Sequence, residues 1–355
     1  MKPIKLKLLA LAVFSVIILN SCSKESATPA ATTVVQDKQN ISNTIDDFYG
    51  CLNTLNDGDL SNFLLYSLFN STNQQYNDTY LKTLTDKFEL QFGQLVLNDR
   101  MQFANNTGIY TWSNTTQLWT KVNSSSVITL KFPSRLNQVI DSELSFNSYS
   151  DVLTSYNSNN YWLPTGANLT LKRNGNLVFS LNLSNVTFDT STNFTMPINA
   201  DISIYTAPFS HTFQWRKTSN TEFQLSYNSS TPQGCGTNSV TNFKLYDADY
   251  GNITSVKDDL KTINGTLIEG NLKVVYSINV QALSAYTDPT PSQINNNSDA
   301  EVYYNDVKIG DLSYDVINNN SEIFIIYSDG SRENVEIYIG DFQNQINTIF
   351  ANYIN

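Results

Sequence analysis

The chain has 355 residues, 40% hydrophobic and 12% aromatic, which is enough for a sizeable core and long enough for one large domain or two smaller ones. Its 21 basic residues face 32 acidic ones, a formal net charge of −11, and only 15% of residues are charged. Nucleic acid is therefore not an expected partner, since its binding rests on Lys and Arg neutralising phosphate, and flat adsorption on anionic lipid is disfavoured.

The first residues carry Lys2, Lys5 and Lys7 and run into an uncharged apolar stretch from Leu8 to Leu19. That is the order of a secretory leader. The stretch is too short for a hydrocarbon core of about 30 Å, which needs about 20 apolar residues, so no retained transmembrane helix is expected. Leu19-Asn20-Ser21-Cys22 follows and resembles the lipobox of bacterial lipoproteins, with Asn20 a departure from the usual small or aliphatic residue. The resemblance implies removal of residues 1–21, diacylglycerol on the Cys22 thiol, acylation of the new amino terminus with palmitate-type chains, and a lipid anchor in the outer membrane of a Gram-negative envelope. Two or three acyl chains hold a protein stably where one does not. Without residues 1–21 the chain keeps 18 basic and 32 acidic residues, net −14. Ser23-Lys24-Glu25 is similar to a surface-export signal of such lipoproteins; a periplasm-facing anchor stays equally open. Residues 22–39, rich in Ser, Ala, Thr and Pro, read as a flexible tether.

Ile41, Ile45, Phe48, Leu52 and Leu55 recur at spacings of 4, 3, 4 and 3 and predict a helix over residues 40–56, stopped by Asn56-Asp57-Gly58. A second helix is expected from Asp59 through Phe69. From Asp78 to Met101 the pattern turns from helical spacing to alternation, predicting a helix that passes into a strand. Ile109 to Trp112 and Leu118 to Val122 flank a Ser113 to Thr116 turn, a β-hairpin. Further strands are expected at Val127 to Phe132, Glu143 to Tyr149, Asn168 to Lys172, Leu177 to Leu183, Ala200 to Tyr205, Thr212 to Arg216 and Glu222 to Tyr227. Asn174-Gly175 is a type I′ turn signal between two of them. Val256, Leu260 and Ile263 predict a helix ending at Asn264-Gly265, and Leu272 to Leu283 a long strand. Ser284 to Ser298, with Pro289, Pro291 and Asn295 to Asn297, reads as a linker. Beyond it come strands at Val302 to Tyr304, Val307 to Ile309, Ile323 to Tyr327 and Val335 to Ile339, then a helix with Phe342, Ile346, Ile349, Phe350 and Tyr353 on one face.

Helices first and many antiparallel strands after predict an α+β fold. The expected plan is an N-terminal helix pair on a large curved antiparallel sheet over residues 40–285, and a small β-meander with a terminal helix over 299–355. In element order the plan is similar to the half-barrel of periplasmic lipoprotein carriers and related acyl-chain-binding lipoproteins.

Residues that would carry chemistry are few. His211 is the single histidine; no Gly-x-Ser-x-Gly elbow accompanies it, and its neighbour Ser210 is poorly placed for a triad, so a histidine hydrogen-bonded within a strand or turn is expected. HExxH and paired Cys-x-x-Cys spacings are absent from the sequence, and no metal or cofactor is expected. Asp247-Ala248-Asp249-Tyr250-Gly251-Asn252 has the start of a calcium loop but Asp258 where a bidentate Glu belongs, and reads as an acidic turn. Asp57 and Asp59 read as a helix stop and a cap. Cys51 and Cys235 would sit in an oxidising compartment, either bridged or as two buried thiols. Trp112, Trp119, Trp162 and Trp215 are the candidate aromatic binding residues, with cross-strand packing the competing reading.

The chain is thus expected to be a non-catalytic envelope lipoprotein that binds an apolar or amphipathic ligand, or a partner protein, near the membrane. The alternative is a surface glycan-binding lipoprotein serving polysaccharide uptake. A dry concavity of Phe, Leu and Ile would favour lipid, exposed coplanar aromatics would favour glycan, and two converging carboxylates would favour an enzyme.

Overall fold

The computed structural model describes residues 32–340, apart from 57, 69–78, 98–99, 123–124, 136–137, 157–158, 190–195 and 250–258. Cys22, the tether up to residue 31 and the terminal helix expected after Phe342 lie outside the described residues. The fold is α+β, with its longer helices at the N-terminal end and a large, mostly antiparallel β portion after them. Among the described residues no helix is long and apolar enough to cross a membrane.

The chain divides into two compact units, one formed by Met1–Leu52 and Thr212–Thr348 and the other by Asn53–His211 and Ile349–Asn355. In the second, helices α2 (Asp59–Leu68) and α3 (Thr79–Phe92) cover strands β3 (Gly108–Ser113), β4 (Leu118–Val122), β5 (Ile128–Phe132), β6 (Ser142–Tyr156), β7 (Asn159–Arg173), β8 (Asn176–Asp189) and β9 (Met196–Thr206). The strand order is β4-β3-β5-β6-β7-β8-β9. The ladders joining β3 to β9 are antiparallel except that of β3 with β5. A two-stranded ribbon, β1 (Val96–Leu97) and β2 (Arg100–Met101), leads into them. The expected passage from helix to strand occurs after Phe92, where α3 ends and β1 and β2 follow. Phe88 and Phe92, one helical turn apart, both pack edge-on against Tyr110 at 4.7 and 4.9 Å, so α3 continues to Phe92. Phe63, Leu84, Phe88, Tyr110, Trp112, Trp119 and Ile128 make the buried centre, each worth about 1.5–3 kcal/mol of burial. Gln91 on α3 reaches the outer edge of β4, where its Oε1 accepts from the Trp119 N–H at 2.8 Å and its Nε2 donates to the Trp119 carbonyl at 3.0 Å.

In the first unit, helix α1 (Val34–Asn56) lays Ile41 and Ile45 on Val302, Ile309, Ile325 and Tyr327. Those residues come from β15 (Ser298–Tyr304), β16 (Val307–Ile317) and β17 (Asn320–Tyr327), which follow β11 (Glu222–Ser230), β12 (Gly236–Leu245), β13 (Leu260–Glu269) and β14 (Leu272–Asn279) in a meander closed by β18 (Arg332–Asn334). Strand β10 (Phe209–Lys217) runs across the division between the units. Lys38 pairs with Glu333 at 2.8 Å, and the Tyr49 hydroxyl donates to the Tyr338 carbonyl at 3.2 Å, fastening α1 at two further points. A disulfide joins Cys51 on α1 to Cys235 in the turn between β11 and β12, across a sequence separation of 184 residues. In the chain-entropy view a loop of that length removes about 5 kcal/mol of unfolded-state freedom.

Four expectations give way here. Leu260 and Ile263 lie in β13 and not in a helix: the register against β12 shifts at Leu245, so Leu260 pairs with Leu245 and Thr262 with Lys244. The extra residue turns two positions three apart onto one buried face, which imitates helical spacing. The long strand from Leu272 stops at Asn279, whose side chain accepts from the Ala282 N–H and caps helix α4 (Val280–Ser284). The Ser284 to Ser298 segment, read as a linker, carries helix α5 (Pro291–Asn295) with a Thr290–Gln293 capping box, and β14 and β15 pair directly on either side of it. Val335 to Ile339 is not a strand, because Asn334 Oδ1 accepts from the Glu336 N–H and starts a helical turn over 336–340. Strand β12 had no counterpart in the expected elements.

Beneath α1 the Glu269 carboxyl is buried, at 6% exposure, and its Oε2 has no hydrogen-bond partner. Burial first, and the Asp47 carboxylate on α1 second, push its pKa up to about 8. The folded chain then holds a proton between about pH 4.5 and 8 that the unfolded chain has released, so stability falls as pH rises through that window and levels off above it. Urea titrations at successive pH values should show a slope approaching about 1.4 kcal/mol per pH unit from this one group. Glu269→Gln should remove that slope; an unchanged slope would mean that Glu269 ionises as an ordinary surface acid.

Candidate functional site

Strands β12 to β15 expose one face away from α1, and their register sets two rows of side chains across it. Val240, Thr266, Val275 and Glu301 align in one, and Asn242, Asn264, Ser277 and Asp299 in the other. These residues, with Gly265 and Tyr276, line a groove of about 320 Å³. Gly265 shapes it. A Cβ there would lie 2.3 Å from the Val240 carbonyl oxygen and 2.7 Å from the Tyr276 hydroxyl, which itself bonds Thr241 Oγ1 at 2.7 Å on the face beneath. Only glycine permits so close an approach of neighbouring strands.

The row containing Asn242 is a directed ladder of amides. Gln224 Nε2 donates to Asn242 Oδ1 at 3.0 Å, and Asn242 Nδ2 donates to Asn264 Oδ1 at 3.2 Å. Gln224 and Asn242 each use one N–H on the next strand, and the ladder ends at Asn264, in the middle of its row. In the companion row Glu301 accepts from Lys308 Nζ at 2.6 Å and from the Tyr303 hydroxyl at 2.7 Å. Those hydrogen bonds, the lysine's first, hold its pKa below the usual carboxylate range and the Tyr303 phenol above its own. Glu301 is therefore a poor proton donor near neutrality. The lining offers donors, acceptors and the methyl groups of two valines. Histidine, cysteine and nucleophile-base pairs are missing from it, and among the described residues no group of three metal-ligating side chains exists.

The structure takes the sequence candidates elsewhere. Trp112 and Trp119 oppose each other across β3 and β4, buried at 2% and 4% exposure, with rings edge to face at 5.5 Å; Trp119 Nε1 donates to the Leu84 carbonyl. They are core packing. Trp162, half-buried on β7, lies under the Arg100 guanidinium at 3.6 Å, and Arg100 also grips Asp151 through two hydrogen bonds. Trp215 stacks on Phe223 at 5.4 Å. None of the four lines the groove. His211 shares a 2.9 Å hydrogen bond with Thr206, stacks on Phe209, and has its pKa lowered by burial. Asp247 accepts from the Asp249 N–H in an Asx turn, while Tyr250 to Asp258 lie outside the described residues. Asp59 stands in the first turn of α2, and Asp57 is outside the described residues.

Sequence reasoning missed the groove because β12 was not recognised and β13 was read as helix. The signal was present in Val240, Asn242, Asn264, Thr266, Val275 and Ser277, where polar and β-branched residues recur at every second position. No family model, curated protein or solved structure matches the chain.

Because the atom nearest the added Cβ is backbone, Gly265→Ala must push β12 and β13 apart, at a cost of about 1–3 kcal/mol. Gly50 on α1 has nothing within 4 Å, so Gly50→Ala should stabilise by about 0.5–1 kcal/mol through helix propensity. Thermal unfolding of the two variants should therefore move Tm in opposite directions.

Proposed function

We propose that the chain is a non-catalytic, lipid-anchored protein of the Gram-negative cell envelope whose body binds a polyhydroxylated ligand in the groove across β12–β15. The observation that carries the ligand class is the lining itself: two asparagines, a threonine, a serine and two carboxylates against two valines. The groove has no Phe, Leu or Ile to make the dry wall that an acyl chain needs, and its amides, hydroxyls and carboxylates can pair with hydroxyl groups beside the valine methyls. Between the two expectations raised by the sequence, this favours the glycan alternative over the apolar ligand. Lys2, Lys5 and Lys7, the apolar run to Leu19, and Cys22 support the anchor.

Two measurements test the reading. Calorimetry of the full chain against neutral oligosaccharides should detect binding that Asn264→Ala weakens by about two- to tenfold, the worth of one or two hydrogen bonds; uptake of detergent-like acyl ligands with no response to sugars would overturn it. Cys22→Ala should move the protein from the membrane fraction to the soluble fraction of the envelope. Membrane retention of that variant would refute the anchor.

A further inference from the structure

We infer that the ligand of the groove carries a positively charged amine, and that Asp299 receives it. The inference rests on the glycan reading above and narrows its substrate class to polyhydroxylated chains with free amino groups.

Charge matching on this stretch of the molecule supplies the first argument. Glu301 and Asp311 share Lys308, at 2.6 and 2.7 Å, Asp306 pairs with Lys273, and Asp315 pairs with Arg332 at 2.7 Å. Asp299 lies on the same strand as Glu301, opposite Ser277, in the wall of the groove. Among the described residues no Lys or Arg pairs with it, so its negative charge is met by solvent alone until something else arrives.

The amide ladder supplies the second. Its donors run from β11 towards β13 and end at Asn264, whose exposed NH₂ group can donate to a ligand. Asp299 stands two strands further along the same row and, as a carboxylate, needs a donor. With strands about 4.8 Å apart, these two demands are separated by about 9–10 Å, and Ser277, between them, serves either role. A ligand that satisfies both presents a hydroxyl or ring oxygen at one end and a cationic donor at the other, over the span of a disaccharide. A neutral sugar answers the Asn264 end but leaves the carboxylate with only a hydroxyl, a weaker partner than a charged amine.

Asp299 is solvent-exposed, so the pairing is modest and screened by salt. The test is isothermal calorimetry of the full-length protein with two oligomers of equal length, one of glucosamine and one of N-acetylglucosamine. In low salt the amine form should bind about two- to fivefold more tightly. That preference should disappear both in high salt and in Asp299→Asn, where the two oligomers should bind with equal affinity. Equal binding of both oligomers by the unaltered protein, or a preference surviving Asp299→Asn, overturns the inference and leaves the glycan reading standing. Binding of neither oligomer overturns both.

Discussion

Side chains along a strand alternate between two faces, so a strand that is apolar on one side needs a cover there and is free of that demand on the other. In both units the cover is helix drawn from the N-terminal end of the sequence. Ile41 and Ile45 of α1 close the face of β15–β17, and Phe63, Leu84 and Phe88 of α2 and α3 close the face of β3–β5. The Cys51–Cys235 bridge, the Lys38–Glu333 pair and the Tyr49 hydrogen bond hold α1 where its apolar stripe is useful. Glu269 is the exception within that covered layer, a carboxyl that burial keeps neutral because no partner reaches its second oxygen.

The opposite faces explain a composition rich in Asn, Ser and Thr. Asn147 donates to Asn168 at 2.7 Å and Asn168 to Asn182 at 3.2 Å across β6, β7 and β8, repeating in the second unit what Gln224, Asn242 and Asn264 do in the first. Each link is a cross-strand pair worth about 0.2–1 kcal/mol. Such ladders satisfy polar side chains without charge and leave unspent donors and acceptors at their ends. The groove is the place where one ladder's end lies near an acid that, among the described residues, pairs with no Lys or Arg.

How far this was legible depended on whether a local pattern had one cause or two. The stripe of Ile41, Ile45 and Phe48 could only mean a helix, and the hairpin around Trp112 and Trp119 announced itself by alternation on both sides of a polar turn. Leu260 and Ile263 deceived because a bulge and a helix place apolar residues at the same interval. Asn279 and Asn334 ended their strands through side-chain hydrogen bonds that hydrophobicity alone does not register. The tryptophans drew notice as large aromatics, yet ring size marks good core material as readily as a binding platform, and Trp112 and Trp119 went to the core. The groove depends on cross-strand register, which brings Asn242, Asn264, Ser277 and Asp299 together from positions 22, 13 and 22 residues apart. No short window of sequence contains it.

The Gln91 carboxamide on the rim of β4 acts as a surrogate neighbour, giving the Trp119 peptide the same donor and acceptor that another strand would bring. Because Gln91 belongs to α3, the surrogate is in place only once Leu84 and Phe88 have docked. Stickiness along that rim is therefore a property of the half-folded chain, shut off by the same packing event that completes the unit. A chain that folds among copies of itself gains from such coupling, since the interval in which one copy can recruit another ends when its helix settles.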